Sequence, residues 1–219
     1  MNRRNYQREL EKIIAENEAS GRHPKLLLHV CCAPCSSWCL EFLNRYFEIT
    51  VFFYNPNIDD PEEYRKRAEE EKRLLREMPS AAGVRFLEGR YDPEAWRARV
   101  RGHEADPEGG DRCGICFALR LREAAETARC LGFDCFTTTL TISPMKDAAR
   151  LNEIGEKAGA AAGVPFLPSD FKKKNGYHRS VELSRIYHLY RQDYCGCSFS
   201  REEAEERRKA QRLRQASQE

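Results

Sequence analysis

The chain has 219 residues, 33% of them charged and 41% hydrophobic, with ten cysteines and a formal net charge of +2. This length suits one α/β domain of moderate size, and no apolar run approaches the length of a membrane span. A net charge this small excludes nucleic-acid binding through overall charge; such binding needs a local basic patch.

The chain starts on a polar segment, Met1 to Gln7, and not on a signal peptide's apolar core. A cytoplasmic, reducing compartment follows, where ten thiols are better explained by metal than by disulfides.

Asn5 to Ser20 is expected as an amphipathic helix with Tyr6, Leu10, Ile13 and Ile14 on one side, stopped by Gly21. Leu26 to Val30 is a short, uncharged strand that ends in Cys31-Cys32-Ala33-Pro34-Cys35. Pro34 ends sheet pairing there, and a helix begins near Ser36. Glu48 to Tyr54 is a second strand, running into the turn Asn55-Pro56-Asn57-Ile58. Asp60 caps a helix from Pro61 to Met78. Val84 to Leu87 is a weaker third strand, and Asp92-Pro93 opens a short helix through Val100.

After a polar loop, Asp111 to Leu131 is a long helix. Cys135 to Leu140 is the fourth strand, followed by a turn reaching Lys146 and a helix from Asp147 to Ala162. Val164 to Leu167 is the fifth strand, ending at Ser169-Asp170. Gly176 to Tyr190 is a helix, and a charged helix starts at Ser200. The alternation predicts a single α/β domain over 1–219, with a parallel sheet of about five strands flanked by helices. Residues 1–22 and 200–219 are its helical extensions.

Seven cysteines are candidate metal ligands: Cys31, Cys32 and Cys35 at a strand end, Cys113 and Cys116 as C-x-x-C, Cys195 and Cys197 as C-x-C. Strand ends bordering helix N-termini are where open α/β sheets bind ligands, and helix N-termini favour thiolates. A tetrahedral zinc or a cubane cluster needs four thiolates, so seven exceed one site. Adjacent residues alternate across an extended backbone, so Cys31 and Cys32 are expected to serve two neighbouring sites. A four-thiolate cluster beside a three-thiolate metal with an open position uses all seven. Cys39, Cys130 and Cys135 read as small buried hydrophobes, and His29 as a hydrogen-bonded core histidine.

Lys146 and Asp170 follow strand ends and are the candidate catalytic pair, for substrate contact and proton donation. Lys172, Lys173, Lys174 and Arg179, with Tyr177 among them, form a basic, aromatic stretch suited to RNA. In the sequence only Glu182 offsets that stretch up to Arg191.

The segments LLHVCCAPC, FYNPNI, RCGICFALRL, GFDCFTTTLTISPMK, FLPSDFKK and LYRQDYCGCSFS, in this order, resemble the QueH type of epoxyqueuosine reductase. The resemblance covers roughly Lys25 to Ser200. It implies an adenine-nucleotide α-hydrolase-like fold related to PP-loop proteins. It also implies cobalamin-independent reduction of epoxyqueuosine to queuosine at the tRNA wobble position, with a [4Fe-4S] cluster and a nearby mononuclear metal ion, expected to be iron. The partners it implies are a tRNA carrying epoxyqueuosine and an external electron donor, with no membrane. Cysteines stand where a PP-loop enzyme has its Ser-Gly-Gly loop, so no ATP chemistry is carried over. Two rival readings remain: an iron–sulfur tRNA thiolase of PP-loop type, and a zinc-stabilised RNA-binding module without catalysis.

Overall fold

A computed structural model describes residues 4–216. The expected terminal helices run on to residues 1 and 219, and those ends lie outside the described residues. Four parallel strands form one sheet in the order β3-β2-β1-β4. They are β1 (Lys25–Val30), β2 (Glu48–Phe53), β3 (Arg85–Glu88) and β4 (Cys135–Thr138). The helices are α1 (Tyr6–Ala19), α2 (Ala33–Leu43), α3 (Pro61–Glu77), α4 (Pro93–Arg99), α5 (Asp111–Cys130), α6 (Ala148–Ala162), α7 (Gly176–Ile186) and α8 (Ser198–Ala216). No helix among the described residues is long and apolar enough to cross a membrane.

The central strand β1 is apolar without a break because both sheet faces are covered. Leu26, Leu28 and Val30 join a core with Leu10 and Ile14 of α1, Leu40 and Leu43 of α2, and Leu74 of α3. Leu27 points the other way and meets Ala124, Ala125 and Ala128 of α5 with Phe136 and Phe166. Small alanines let α5 lie close to the sheet. The helix starts are set locally. The Asp60 carboxylate accepts from the Glu62 and Glu63 amides, and Asp92 and Asp147 accept from Ala95 and Ala149.

The expected fifth strand, Val164 to Leu167, is not part of the four-stranded ladder. It makes one parallel bridge, Phe136 to Phe166. The Leu167 amide donates to the Phe136 carbonyl and the Phe136 amide to that of Pro165. Pro165 has no N–H to extend the pairing. The fourth strand is shorter than expected. The Thr138 hydroxyl accepts from the Leu140 amide, and residues Thr139–Ile142 wind into a 3-10 turn. The seventh helix stops at Ile186, before a His188 with φ of +48°.

Helix α7 packs on α2 through Gly176. A Cβ there would stand 1.9 Å from the Phe171 carbonyl oxygen and 2.4 Å from Trp38 Nε1. The packing of α7 therefore requires glycine at this position. The carboxyl ends of β1, β2 and β4 thus open toward one side, where α2, α5 and the approach to α8 begin.

Candidate metal centre and cavity

The first thiol group is built by the junction of β1 and α2. Cys31 follows the strand and Cys32 is the N-cap of α2, with φ −174° and ψ 157°. The Cys32 carbonyl accepts from the Cys35 and Ser36 amides, which wraps Cys35 back toward the strand end. The sulfurs of Cys31, Cys32 and Cys35 all lie within 4.8 Å of one another. The Cys31 and Cys32 sulfurs are 3.7 Å apart. The expectation that these neighbours point apart is corrected: strand alternation ends at Val30, and Cys32 already belongs to the helix cap.

Hydrogen bonds from the Cys32 and Cys35 thiols hold the Cys31 thiol well below its usual pKa. The Arg120 and Lys146 charges act in the same direction, against burial. The Cys31 thiolate in turn pushes Cys32 up to about 12. One negative charge is therefore shared most readily, with Cys31 ionising first.

Cys113 and Cys116 lie on the first turns of α5, and Cys195 and Cys197 just before and at the start of α8. Cys116 and Cys197 share an apolar cluster with Trp96 and Val100. Cys113 and Cys31 both pack against the cluster of Phe117, Leu121, Leu140 and Leu151. Negative charge at Cys195 reaches Cys113, Cys116 and Cys197. Burial pushes the Cys116 thiol up to about 12 and raises those of Cys113 and Cys197. Of the seven expected cysteines, Cys31, Cys32 and Cys35 form a tight trio, and the other four, a quartet, are linked by the reach of the Cys195 charge to Cys113, Cys116 and Cys197.

Each delivering loop is pinned. Arg150 of α6 donates to the Gly109 and Gly110 carbonyls at 2.8 and 3.0 Å, and the Gly109 amide donates to the Cys113 sulfur. Asp59 accepts from the amide and hydroxyl of Ser198, fixing the start of α8. Gly196 has φ of +135°, and a Cβ there would stand 2.8 Å from Ile58. Both conditions restrict the centre of C-x-C to glycine.

A cavity of about 540 Å³ opens above the trio. Cys31, Cys32, Cys35 and Cys195 line it, with Lys146, Arg67, Tyr177, Tyr194, Arg191 and Arg207 among the other walls. Burial opposes the Lys146 charge, but negative charge at Cys195, Cys31 and Cys35 outweighs it and raises the lysine pKa. Lys146, expected only to follow a strand end, lines the cavity together with the trio.

Asp170 is placed differently. It does not line the cavity, and it pairs with Lys172 at 2.9 Å. The basic stretch is largely neutralised from elsewhere in the chain. Lys172 also donates to the Thr141 carbonyl. Lys174 meets Glu11 at 2.5 Å, and Arg179 meets Glu41 with both arms at 2.8 Å and Glu182 at 3.0 Å. Among the described residues no ion pair holds Lys173, which is exposed, or Arg191. Tyr177 reaches the cavity and is exposed.

His29 is fully buried, as expected of a core histidine. Nε2 donates to the Tyr54 carbonyl at 3.1 Å, and Nδ1 accepts from the Thr138 hydroxyl at 2.8 Å. Burial, helped by the Arg120 charge, lowers its pKa to about 3, so it stays neutral. Cys39 and Cys135 are buried as expected, whereas Cys130 is exposed at the end of α5. Leu131 after it is exposed too, because α5 has already left the core.

The sequence reading missed Arg67, Arg120 and Arg207. Arg120 carried a signal: it stands four residues after Cys116 and so shares its helix face. Arg67 and Arg207 lie in highly charged helices where nothing marks one arginine from the next.

A family model described as epoxyqueuosine reductase QueH matches residues 26–203. The chain belongs to the epoxyqueuosine reductase QueH family. It is 44% identical over 198 residues to the epoxyqueuosine reductase QueH of Streptococcus pyogenes serotype M1, covering 90% of this chain and 78% of that one. The Staphylococcus epidermidis protein of the same name is 42% identical, with 90% and 84% covered. That of Thermotoga maritima is 36% identical, with 80% and 89% covered. The matched span contains all seven candidate cysteines, and the QueH family is one of oxidoreductases in queuosine biosynthesis.

Proposed function

We propose that this chain reduces epoxyqueuosine to queuosine at the wobble position of tRNA, in the cytoplasm, at the cavity above the cysteine trio. Family membership supports the reaction. The observation that carries the site is the trio itself: three sulfurs within 4.8 Å, at a strand end, lining a cavity with a protonated lysine.

The trio fits a thiophilic metal. All three donors are soft thiols, and the charges of Arg67, Arg120 and Lys146 act on them in the sense that favours thiolate. Cys31, Cys32 and Cys35 would hold a mononuclear ion, expected to be iron, with one position open. Cys113, Cys116, Cys195 and Cys197 would hold a [4Fe-4S] cluster. When bound, these groups supply single electrons, drawn from an external donor, and Lewis acidity toward oxygen.

The net change removes the epoxide oxygen. Two electrons and two protons enter, both C–O bonds break, and a C=C bond and water result. Lys146 is one of the hydrogen-bond donors in the cavity wall and the proton source assigned to the departing oxygen. The acid role expected of Asp170 passes to it, since Asp170 holds Lys172 instead. Arg67 keeps the Cys195 turn against the trio, and the apolar walls at Ile142, Pro144 and Met145 limit water. A base entering from tRNA leaves the anticodon stack and meets Tyr177 and Tyr194, while Arg191 and Lys173 face the backbone.

We read the chain as one α/β unit extended by α1 and α8. The parallel order β3-β2-β1-β4, with Phe166 bridging beside β4, supports the adenine-nucleotide α-hydrolase-like assignment. Anaerobic purification with iron and sulfide counts tests the cofactor reading. A brown protein holding more than four irons per chain is expected. A colourless protein holding only zinc would contradict it and return the zinc-stabilised module.

A further inference from the structure

Arg67, Arg112 and Arg120 are buried almost completely. Two of them have a carboxylate: Arg67 meets Glu63 at 2.6 Å, and Arg112 meets Glu203 at 3.0 Å. Arg120 has none among the described residues. Its Nη2 donates to Asn55 Oδ1, and its Nε and Nη1 have no partner. A guanidinium does not lose its proton in a protein, so Arg120 is a permanent cation. Buried charges are otherwise paired or bound to a counter-ion.

The acidic groups on which the Arg120 charge acts are the Cys31 and Cys116 thiols and the Tyr54 phenol, and burial raises the Tyr54 pKa to about 12, so the phenol stays neutral. Arg120 thus acts on the trio through Cys31 and on the quartet through Cys116. On α5 it follows Cys113 by seven residues and Cys116 by four, so all three share a face. Asn55, which holds it, also donates to the Val30 carbonyl at 2.9 Å, next to Cys31. One side chain therefore links the strand end that presents the trio to the helix that presents half of the quartet.

We propose that Arg120 is the fixed counter-cation of the anionic iron–sulfur centre, a positioning residue and not a ligand. This rests on the reading above that the thiols hold such a centre. A thiolate-ligated cluster is negatively charged, and more so when reduced. A buried cation beside it stabilises the reduced form and raises the reduction potential. In the metal-free chain the same cation has no carboxylate, two of its nitrogens lack a partner, and only the Cys31 thiolate offsets its charge. An apolar side chain of similar length at this position therefore stabilises one form and weakens the other.

The test uses Arg120→Met and Arg120→Lys in the full chain. Thermal unfolding is followed for the metal-free, fully reduced protein and for the anaerobically reconstituted one. Arg120→Met is expected to raise the midpoint of the first and lower that of the second. A redox titration followed by electron paramagnetic resonance is expected to show a more negative potential in Arg120→Met, with Arg120→Lys between it and the wild type. A shift of both unfolding midpoints in one direction overturns the proposal, as does an unchanged potential in cluster-loaded Arg120→Met. Loss of iron and sulfide from both variants, with a destabilised metal-free chain, marks Arg120 as a structural residue and overturns it too. A wild-type chain that takes up no iron and sulfide overturns the parent reading and this one together.

Discussion

Arg67 Nη1 donates to the Cys195 carbonyl oxygen at 3.0 Å, so a residue in the middle of α3 holds the turn that carries the last two thiols. The same guanidinium meets Glu63 at 2.6 Å and lies over the Tyr194 ring at 5.1 Å.

Arg67→Met removes the clamp and leaves Glu63 buried without its cation. Breaking a buried pair in this way costs about 3–5 kcal/mol. Urea unfolding of the metal-free chain reads the loss, and thiol alkylation is expected to become faster at Cys195. The double variant Arg67→Met, Glu63→Met regains most of the stability, because no charge is left stranded. Equal stability of wild type and Arg67→Met would mean that the clamp contributes nothing.

Glu71 gives a pH dependence with a definite sign. It is fully buried behind the trio, within 2.8 Å of the Ser36 hydroxyl, and burial raises its pKa to about 8. The folded chain therefore holds a proton that the unfolded chain releases near the ordinary carboxylate value of about 4.3. Its contribution to stability is complete below that value, is lost as pH rises toward 8, and changes no further above it. Glu71→Gln keeps the neutral hydrogen bond and removes this loss. Denaturation across pH 5 to pH 9 is expected to show the variant gaining on the wild type by roughly 3–5 kcal/mol at the upper end. Parallel curves would show that Glu71 is ionised in the folded state.

The ion pairs decide which basic residues meet tRNA. Arg191→Ala is expected to weaken binding about threefold to tenfold and to reduce the salt slope by about 0.7 to 0.9. Lys174→Ala and Arg179→Ala, whose partners are Glu11 and Glu41, are expected to change it less than twofold. Filter binding over a salt series measures both. A larger loss at Arg179 than at Arg191 would restore the patch expected from sequence.

Much of the fold was legible because its signals are local. Asp60 before Pro61, the uncharged run Leu26 to Val30, and the alanines of α5 each act within a turn or a strand. So was the grouping of Cys31, Cys32 and Cys35, since their spacing is itself the signal. What was not legible depends on residues far apart in sequence. Glu11 and Glu41 neutralise Lys174 and Arg179 across more than a hundred residues. Convergence of Cys31 and Cys32 depends on the helix starting at Ala33, three residues before the expected Ser36. The carboxylate missing from Arg120 is visible only once its burial is known.

The most direct measurement is turnover. Anaerobically reconstituted protein, a chemical reductant and tRNA carrying epoxyqueuosine are incubated, and the digested nucleosides are read by mass spectrometry. Wild-type protein is expected to convert epoxyqueuosine to queuosine, with loss of one oxygen atom. Cys32→Ser is expected to show no conversion above the protein-free control while retaining the fold by circular dichroism. Full conversion by a Cys31→Ser, Cys32→Ser, Cys35→Ser triple variant would contradict the placement of the chemistry at the trio.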